Sequence, residues 1–256
     1  MIKEELIKEI MKKKEFSQLP KKDVEIAFSH FEKRETIDEE KVKLTRNLLR
    51  EVFSAFTSRK LLKPKDKEPE WILRKHLSTR ERFPYYKEIY KRILNGIGKK
   101  ASIIDLGAGV NGFSYPFFNK SGFEIDYLGI ESIGQLVELT NNYFKREKIK
   151  GKVIHASIFE IEKIKKIIKE TKKPRVIFLL KVIDSLEMFQ RDFSKKLLLE
   201  ISPLAEKIVV SFATESMIKR TRFRAKRKWF LEFLKENFSV LDDFEIGKEK
   251  YFVFSR

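Results

Sequence analysis

A chain of 256 residues with 56 Lys and Arg against 38 Asp and Glu has a formal charge of +18, an excess that suits a polyanionic partner, usually RNA or DNA. Its 42% hydrophobic content and 23 Phe exclude a disordered chain. The absence of Cys excludes disulfides, thiolate zinc sites and a cysteine nucleophile. A competing origin for the charge is the Lys- and Glu-rich composition of hyperthermophile proteomes. Clustering of the basic residues, described below, favours nucleic acid.

The opening MIKEELIKEIMKKK is amphipathic and contains acids, unlike a secretory signal, and no run of 18 apolar residues occurs. A soluble, cytoplasmic protein without a membrane partner is expected. The first ~95 residues have helical periodicity. Leu6, Ile7 and Ile10 form one apolar face, and Val24, Ala27, Phe28 and Phe31 a second. Leu44, Leu48, Val52, Ala55 and Phe56 lie on a third helix running from Val42 to Phe56. Lys63 to Pro69 is a charged linker bracketed by prolines. A helix from Pro84 to Leu94 is expected to stop at Gly96 and Gly98.

After Lys100 the period changes. Apolar runs at Ile103-Ile104, Ile125 to Ile130, Val153-Ile154, Val176 to Leu180 and Ile208 to Phe212 alternate with amphipathic helices, which predicts a parallel α/β sheet. The last segment, FSVLDDFEIGKEKYFVFSR, reads as strand, turn, strand with no room for a crossover helix. An antiparallel hairpin therefore closes the sheet. The expected fold class is a Rossmann-like α/β domain, 99–256, preceded by a helical domain, 1–98, that docks RNA.

SIIDLGAGVNG places Gly107, Gly109 and Gly112 in the pattern G-x-G-x-x-G. Glycines there let backbone approach a ligand ahead of a helix N-terminus, in dinucleotide and S-adenosylmethionine sites alike. Asp105, just before the loop, suits the ammonium of a methionine moiety and would repel a pyrophosphate. Glu131 in YLGIES can accept from ribose hydroxyls in either cofactor. With the terminal hairpin, these features favour S-adenosylmethionine. The three His are scattered: His30 reads as a helix-surface residue and His155 as a strand-edge residue. None has HExxH spacing, and no metal is expected.

HLSTRERFPYY (76–86), IIDLGAGVNG, LLKVIDSLE (179–187) and IVVSFATESM (208–217) together resemble the 16S rRNA guanine-N7 methyltransferases of the aminoglycoside-resistance family. The likeness covers roughly residues 70 to 217 by motif and the whole chain by layout. It implies a helical domain before a class I methyltransferase domain. It also implies that His76, Ser78, Thr79, Arg80 and Arg82 close over the cofactor, an arginine pairing with its carboxylate. Asp105, Gly107, Ala108 and Gly109 would cradle the methionine, and Glu131 with Ser132 the ribose. Ser157 and Ile158 would border the adenine, with Leu180 and Lys181 by the transferred methyl. The sequence departs from the family at Asn111-Gly112, at Phe212-Ala213 and at Ile218-Lys219-Arg220, near the target pocket. Ser157 also fails to supply the acid that often meets the adenine amino group in such folds. On the residues alone, Arg80 and Arg82 read equally as solvated helix positions, and Asp184 and Glu187 as charges of a helix N-terminus.

Absences narrow the acceptor. Pyrimidine C5 methylation needs a cysteine, and exocyclic-amine methylation commonly uses an Asp/Asn-Pro-Pro-aromatic loop where this chain has Leu180-Lys181-Val182-Ile183. Guanine N7 needs no general base. A ribose hydroxyl remains open through Lys181, the candidate catalytic or positioning residue. KRTRFRAKRK, 219–228, has seven basic residues in ten, with Phe223 among them and Trp229 next. Lys219, Arg220, Arg222, Arg224, Arg227 and Lys228 are the candidate RNA contacts. A second basic stretch, Lys41 to Lys65, has eight basic residues and only Glu51 as an acid. The resulting expectation is a monomeric methyltransferase that modifies guanine N7 in small-subunit rRNA, releasing S-adenosylhomocysteine. Its rivals are a methyltransferase for tRNA or another rRNA base, and a non-catalytic ribosome-assembly factor of the same fold. If the helical domain only docks RNA, removing residues 1 to 70 should leave the cofactor pocket intact.

Overall fold

A computed structural model describes residues 2–54, 67–215 and 227–256. The helical part opens with α1 (Lys3–Met11), α2 (Lys21–Ser29) and α3 (Asp38–Leu49), the last running into a π-helical turn, Arg50–Ser54. Each buries the apolar stripe read from the sequence: Leu6, Ile7 and Ile10 on α1, and Val24, Ala27 and Phe28 on α2. The Glu5 carboxylate accepts the Ile2 backbone N–H at 3.1 Å, satisfying a donor at the first helix start.

Two short helices follow that periodicity did not predict, α4 (Pro69–Lys75) and α5 (Leu77–Arg82). They are separated at His76, whose backbone is extended, and the Thr79 hydroxyl spans the break by donating to the Leu73 carbonyl at 2.7 Å. At seven and six residues they are too short for an apolar stripe to repeat. α6 (Tyr86–Ile93) then leads to Gly96 and Gly98, both at positive φ, where the helix cannot continue.

The sheet comprises β1 (Lys100–Leu106), β2 (Glu124–Glu131), β3 (Gly151–His155), β4 (Arg175–Leu180), β5 (Lys207–Ala213), β6 (Ser239–Ile246) and β7 (Glu249–Ser255) in the order β3-β2-β1-β4-β5-β7-β6. β1 to β5 pair in parallel; β7 runs antiparallel to both β5 and β6. Between and after the strands lie α7 (Tyr115–Lys120), α8 (Gly134–Arg146), α9 (Ile161–Lys169), α10 (Ile183–Phe189), α11 (Phe193–Ile201) and α12 (Lys228–Asn237). Among the described residues, no helix is long and apolar enough to cross a membrane.

Strand alternation divides the core between the sheet's two faces. Ile104, Ile130, Leu179, Val210 and Phe254 meet α9 to α12 on one side. Ile103, Tyr127, Phe178, Val209 and Val253 face the other, where Leu6, Val24, Ile72 and Tyr90 join them in one continuous cluster. The helical layer therefore shares its core with the sheet. Continuing the same parity toward the carboxyl edge places Asp105, Glu131, Ser211 and Glu249 under that helical layer, all buried. The polar ends of one apolar face build the site.

Candidate functional site

The turn after β1 needs its glycines. Gly107 and Gly109 have φ of +73° and +52°, and a Cβ at Gly107 would lie 2.6 Å from Val182 Cγ2. A Cβ at Gly109 would lie 3.2 Å from His76 Nε2. At the tip of β2, Glu131 accepts the Gly109 N–H at 2.7 Å on one oxygen and the Ile133 N–H at 2.8 Å on the other. Burial pushes its pKa up, partly offset by these bonds. Each carboxylate oxygen retains a lone pair for an incoming hydroxyl.

A cleft opens along this edge, with about 730 Å³ of non-atom space including its open mouth. It follows the strand order. His76, Ser78, Gly107 and Gly109 line it near β1, with Leu180 and Lys181 from β4. Glu131 and Ser132 lie at the tip of β2, and Ile158 and Phe159 beyond β3. Nine residues expected at the cofactor thus meet in one cleft. Burial, reinforced by the Arg82 and Lys181 charges, lowers the His76 pKa to about 3, so its imidazole is neutral at physiological pH.

Six expected cofactor residues do not line the cleft: Thr79, Arg80, Arg82, Asp105, Ala108 and Ser157. Thr79 bridges α4 and α5, and Arg80 points to solvent. Ala108 packs under the loop, its Cβ close to Gly129. Asp105 accepts from Tyr127 Oη at 2.6 Å and Asn111 Nδ2 at 2.7 Å, and burial raises its pKa. Arg82, 3% exposed, forks onto Glu249 through Nε at 3.0 and 3.1 Å and reaches Asn111 Oδ1 at 3.2 Å. A fourth bond goes to the Ser78 hydroxyl. Through the bonds to Glu249, Arg82 ties α5 to β7. Burial opposes its charge, but Glu249 overrides that and holds its pKa above the ordinary value.

Lys181 joins this network. Its backbone is left-handed, φ 61°, immediately after β4, a conformation held by the surrounding contacts. The ammonium sits between Glu249, at 3.2 Å, and Glu81. The Ser211 hydroxyl also donates to Glu249. Glu81, Ser211 and Glu249 are the participants that sequence reasoning missed; only strand parity at β5 and β7 could have signalled the last two.

The other omission comes from the helical layer. Asp23 of α2, with Val52 and Phe53 from the π-helical turn, lines the cleft beside Ile158 and Phe159. Removing the layer would remove a wall of the pocket, contrary to the expectation that it only docks RNA. Elsewhere the charges are structural. Glu187 accepts from the N–H groups of Asp192 and Ser194 at the start of α11. His30 Nε2 lies 2.7 Å from the Phe189 carbonyl, and His155 Nε2 lies 2.9 Å from that of Ser132.

Of the candidate RNA contacts, Lys219, Arg220, Arg222 and Arg224 lie outside the described residues. Arg227 pairs with Asp184 at 2.8 Å, donates to the Ala213 carbonyl at 3.2 Å and stacks 4.4 Å over Phe212. Lys228 is exposed at the start of α12.

With this geometry in place, comparison with known proteins is decisive. Residues 67–249 match the family model described as ribosomal RNA methyltransferase (FmrO). The chain belongs to that family. It is 39% identical over 67 residues to a 16S rRNA (guanine(1405)-N(7))-methyltransferase of Proteus mirabilis, covering 26% of this chain and 24% of that protein. Against the enzyme of the same name from Micromonospora rosea it is 25% identical over 181 residues, 70% of this chain and 62% of the relative. The matched segments thus span less than two thirds of either curated relative. Among solved structures, the 16S rRNA methyltransferase RmtF, in complex with S-adenosyl-L-homocysteine, superposes with a TM-score of 0.81 at 19% identity. That superposition covers 100% of this chain and 99% of RmtF. The 16S rRNA methylase ArmA gives 0.55 at 25% identity, over 74% of this chain and 91% of ArmA. The likeness to RmtF extends over α1 to α3, which lie outside the family match.

Proposed function

We propose that the chain is an S-adenosylmethionine-dependent methyltransferase acting on N7 of a guanine in small-subunit rRNA. The observation that carries this reading is the cleft at the carboxyl edge of β1, β2 and β4, strands of the segment matching an rRNA methyltransferase family. The residues present fit the cofactor. A side chain at Gly107 would fill the cradle, and Glu131 lies where a ribose diol needs two acceptors. Gly107 and Gly109 would border the methionine, Glu131 and Ser132 the ribose, and Leu180 and Lys181 the reacting end.

The cofactor supplies an electrophilic methyl on a sulfonium, and in-line transfer is accelerated chiefly by alignment. Lys181, its ammonium engaged by the Glu81 and Glu249 carboxylates, serves to position rather than to act as a base. That suits guanine N7, whose lone pair carries no proton, and disfavours a ribose hydroxyl, which needs a base. The +18 charge and the segment 219–228 supply the phosphate contacts, with the helical layer, 1–98, as a second docking surface beside the catalytic domain, 99–256. In this reading the enzyme is a cytoplasmic monomer that recognises the ribosomal subunit as a particle.

Incubation of purified small subunits with the protein and labelled S-adenosylmethionine tests the reading. The labelled guanosine should be cleaved by borohydride and aniline, as a cationic N7-methylated ring is. A labelled nucleotide stable to that treatment rejects N7, and label found only in tRNA rejects the ribosomal substrate.

A further inference from the structure

We propose that Asp23, carried by the helical layer, reads the adenine ring of the cofactor, replacing an acid at the carboxyl tip of β3. The inference rests on the S-adenosylmethionine reading above and concerns a residue outside the segment 67–249 that defines family membership. The cleft runs from Lys181 and Gly107 past Glu131 to Ile158 and Phe159, so a cofactor with its ribose at Glu131 places its base beyond β3. There the strand tip presents Ser157, a side chain unable to act as a fixed anion. Its hydroxyl donates to Asp23 Oδ1, and Ser132 is a second donor to the same carboxyl. The two serines hold the Asp23 carboxyl at the spot where the strand itself offers no acid.

Asp23 is 1% exposed yet lines the cleft. Among the described residues, no lysine or arginine forms an ion pair with it, and the nearby Glu160 carboxylate disfavours its charge further. Burial dominates and raises its pKa. A carboxyl taken out of water with hydroxyl partners alone is costly to fold around, and such groups in clefts mark ligand sites. Its remaining lone pairs suit an amine donor. The surroundings are aromatic and apolar, as the faces of a base require. The rings of Phe53 and Phe189 lie 5.6 Å apart, those of Phe159 and Phe189 5.5 Å apart, and all three line the cleft. An exocyclic amino group between these rings and Asp23 would satisfy the carboxylate; a purine without that group would leave it unmatched.

The test is calorimetry on the full chain with two ligands. One is S-adenosylhomocysteine; the other is its purine analogue, with hydrogen in place of the 6-amino group. A hydrogen bond to a charged acceptor is worth ~1.5–3 kcal/mol, so the wild-type protein should bind the adenine form roughly 10- to 150-fold more tightly. Asp23→Leu, similar in size, should erase that preference by weakening the adenine form alone. A folded double variant, Asp23→Ser with Ser157→Asp, returns the carboxylate to the strand tip and should restore it. That swap also decides the matter if Asp23→Leu fails to fold. Equal affinity of the wild-type protein for both ligands overturns the proposal, as does a preference that survives in Asp23→Leu or stays lost in the folded swap. Failure of the wild-type protein to bind S-adenosylhomocysteine at all refutes the cofactor reading itself, and this inference with it.

Discussion

Arg82 and Glu249 lie 167 residues apart and are brought together with side chains 3% and 2% exposed. A buried pair of this kind stabilises little relative to apolar residues, but removing one partner strands the other charge. Glu249→Gln should therefore destabilise the protein by about 3–5 kcal/mol in urea unfolding at neutral pH. Burial alone would raise the Glu249 pKa, yet Arg82 and Lys181 hold it below 4.5. The ionised carboxylate therefore contributes stability above about pH 4.5, and that contribution fades as pH falls toward the lowered folded value. The gap between the wild-type and variant unfolding free energies should narrow below pH 4.5; a pH-independent gap would place the loss in packing instead. Gly107→Val, at φ +73° with Val182 2.6 Å from its Cβ, should abolish S-adenosylhomocysteine binding in calorimetry. Retained micromolar affinity in that variant would move the methionine site elsewhere.

At the scale of elements, the start of α12 separates two kinds of basic residue that look alike in sequence. Arg227 is fastened to Asp184, the Ala213 carbonyl and the face of Phe212, so it anchors the helix to the end of β5 and to α10. Lys228 next to it projects into solvent. Arg227→Ala should lower unfolding stability by about 1–2 kcal/mol, from a lost cation–π contact and a hydrogen bond. Lys228→Ala should leave the melting temperature unchanged and reduce the slope of log K for RNA against log salt by roughly 0.7–0.9, one phosphate contact. Melting curves and salt titrations of the two variants distinguish these outcomes. If Arg227→Ala changes only the salt slope, its partners in the fold are incidental.

For the whole molecule, one continuous core spanning the helical layer and a sheet face means that the layer and the cleft are mechanically joined. Hydrogen exchange with and without S-adenosylhomocysteine should show added protection in α2 as well as in the loop at 107–112. Protection confined to residues beyond 98 would mean that the layer does not sense the ligand. Two separated basic regions also predict that intact small subunits are far better substrates than short stem-loops. Once one region is docked, the second contact becomes effectively intramolecular. Equal rates on both would indicate a small-RNA target.

Period and punctuation in the sequence determined the helical start, the seven strands, the closing hairpin and the glycine turn. These depend on local rules: a 3.6-residue or two-residue apolar repeat, and backbone that only glycine adopts readily. Gly107, Gly109 and Glu131 were legible for the same reason, since each sits at a strand tip marked by its own neighbours. Tertiary structure alone decided what the charges do. That Arg82 is buried against Glu249 rather than solvated follows only from where β7 lies. Asp23 was hidden on an amphipathic helix, where an acid in the first turn ordinarily faces water. Only the packing of α2 over the tip of β3 turns it into the cleft. Burial and pairing depend on partners more than a hundred residues away, and no local pattern encodes such a distance.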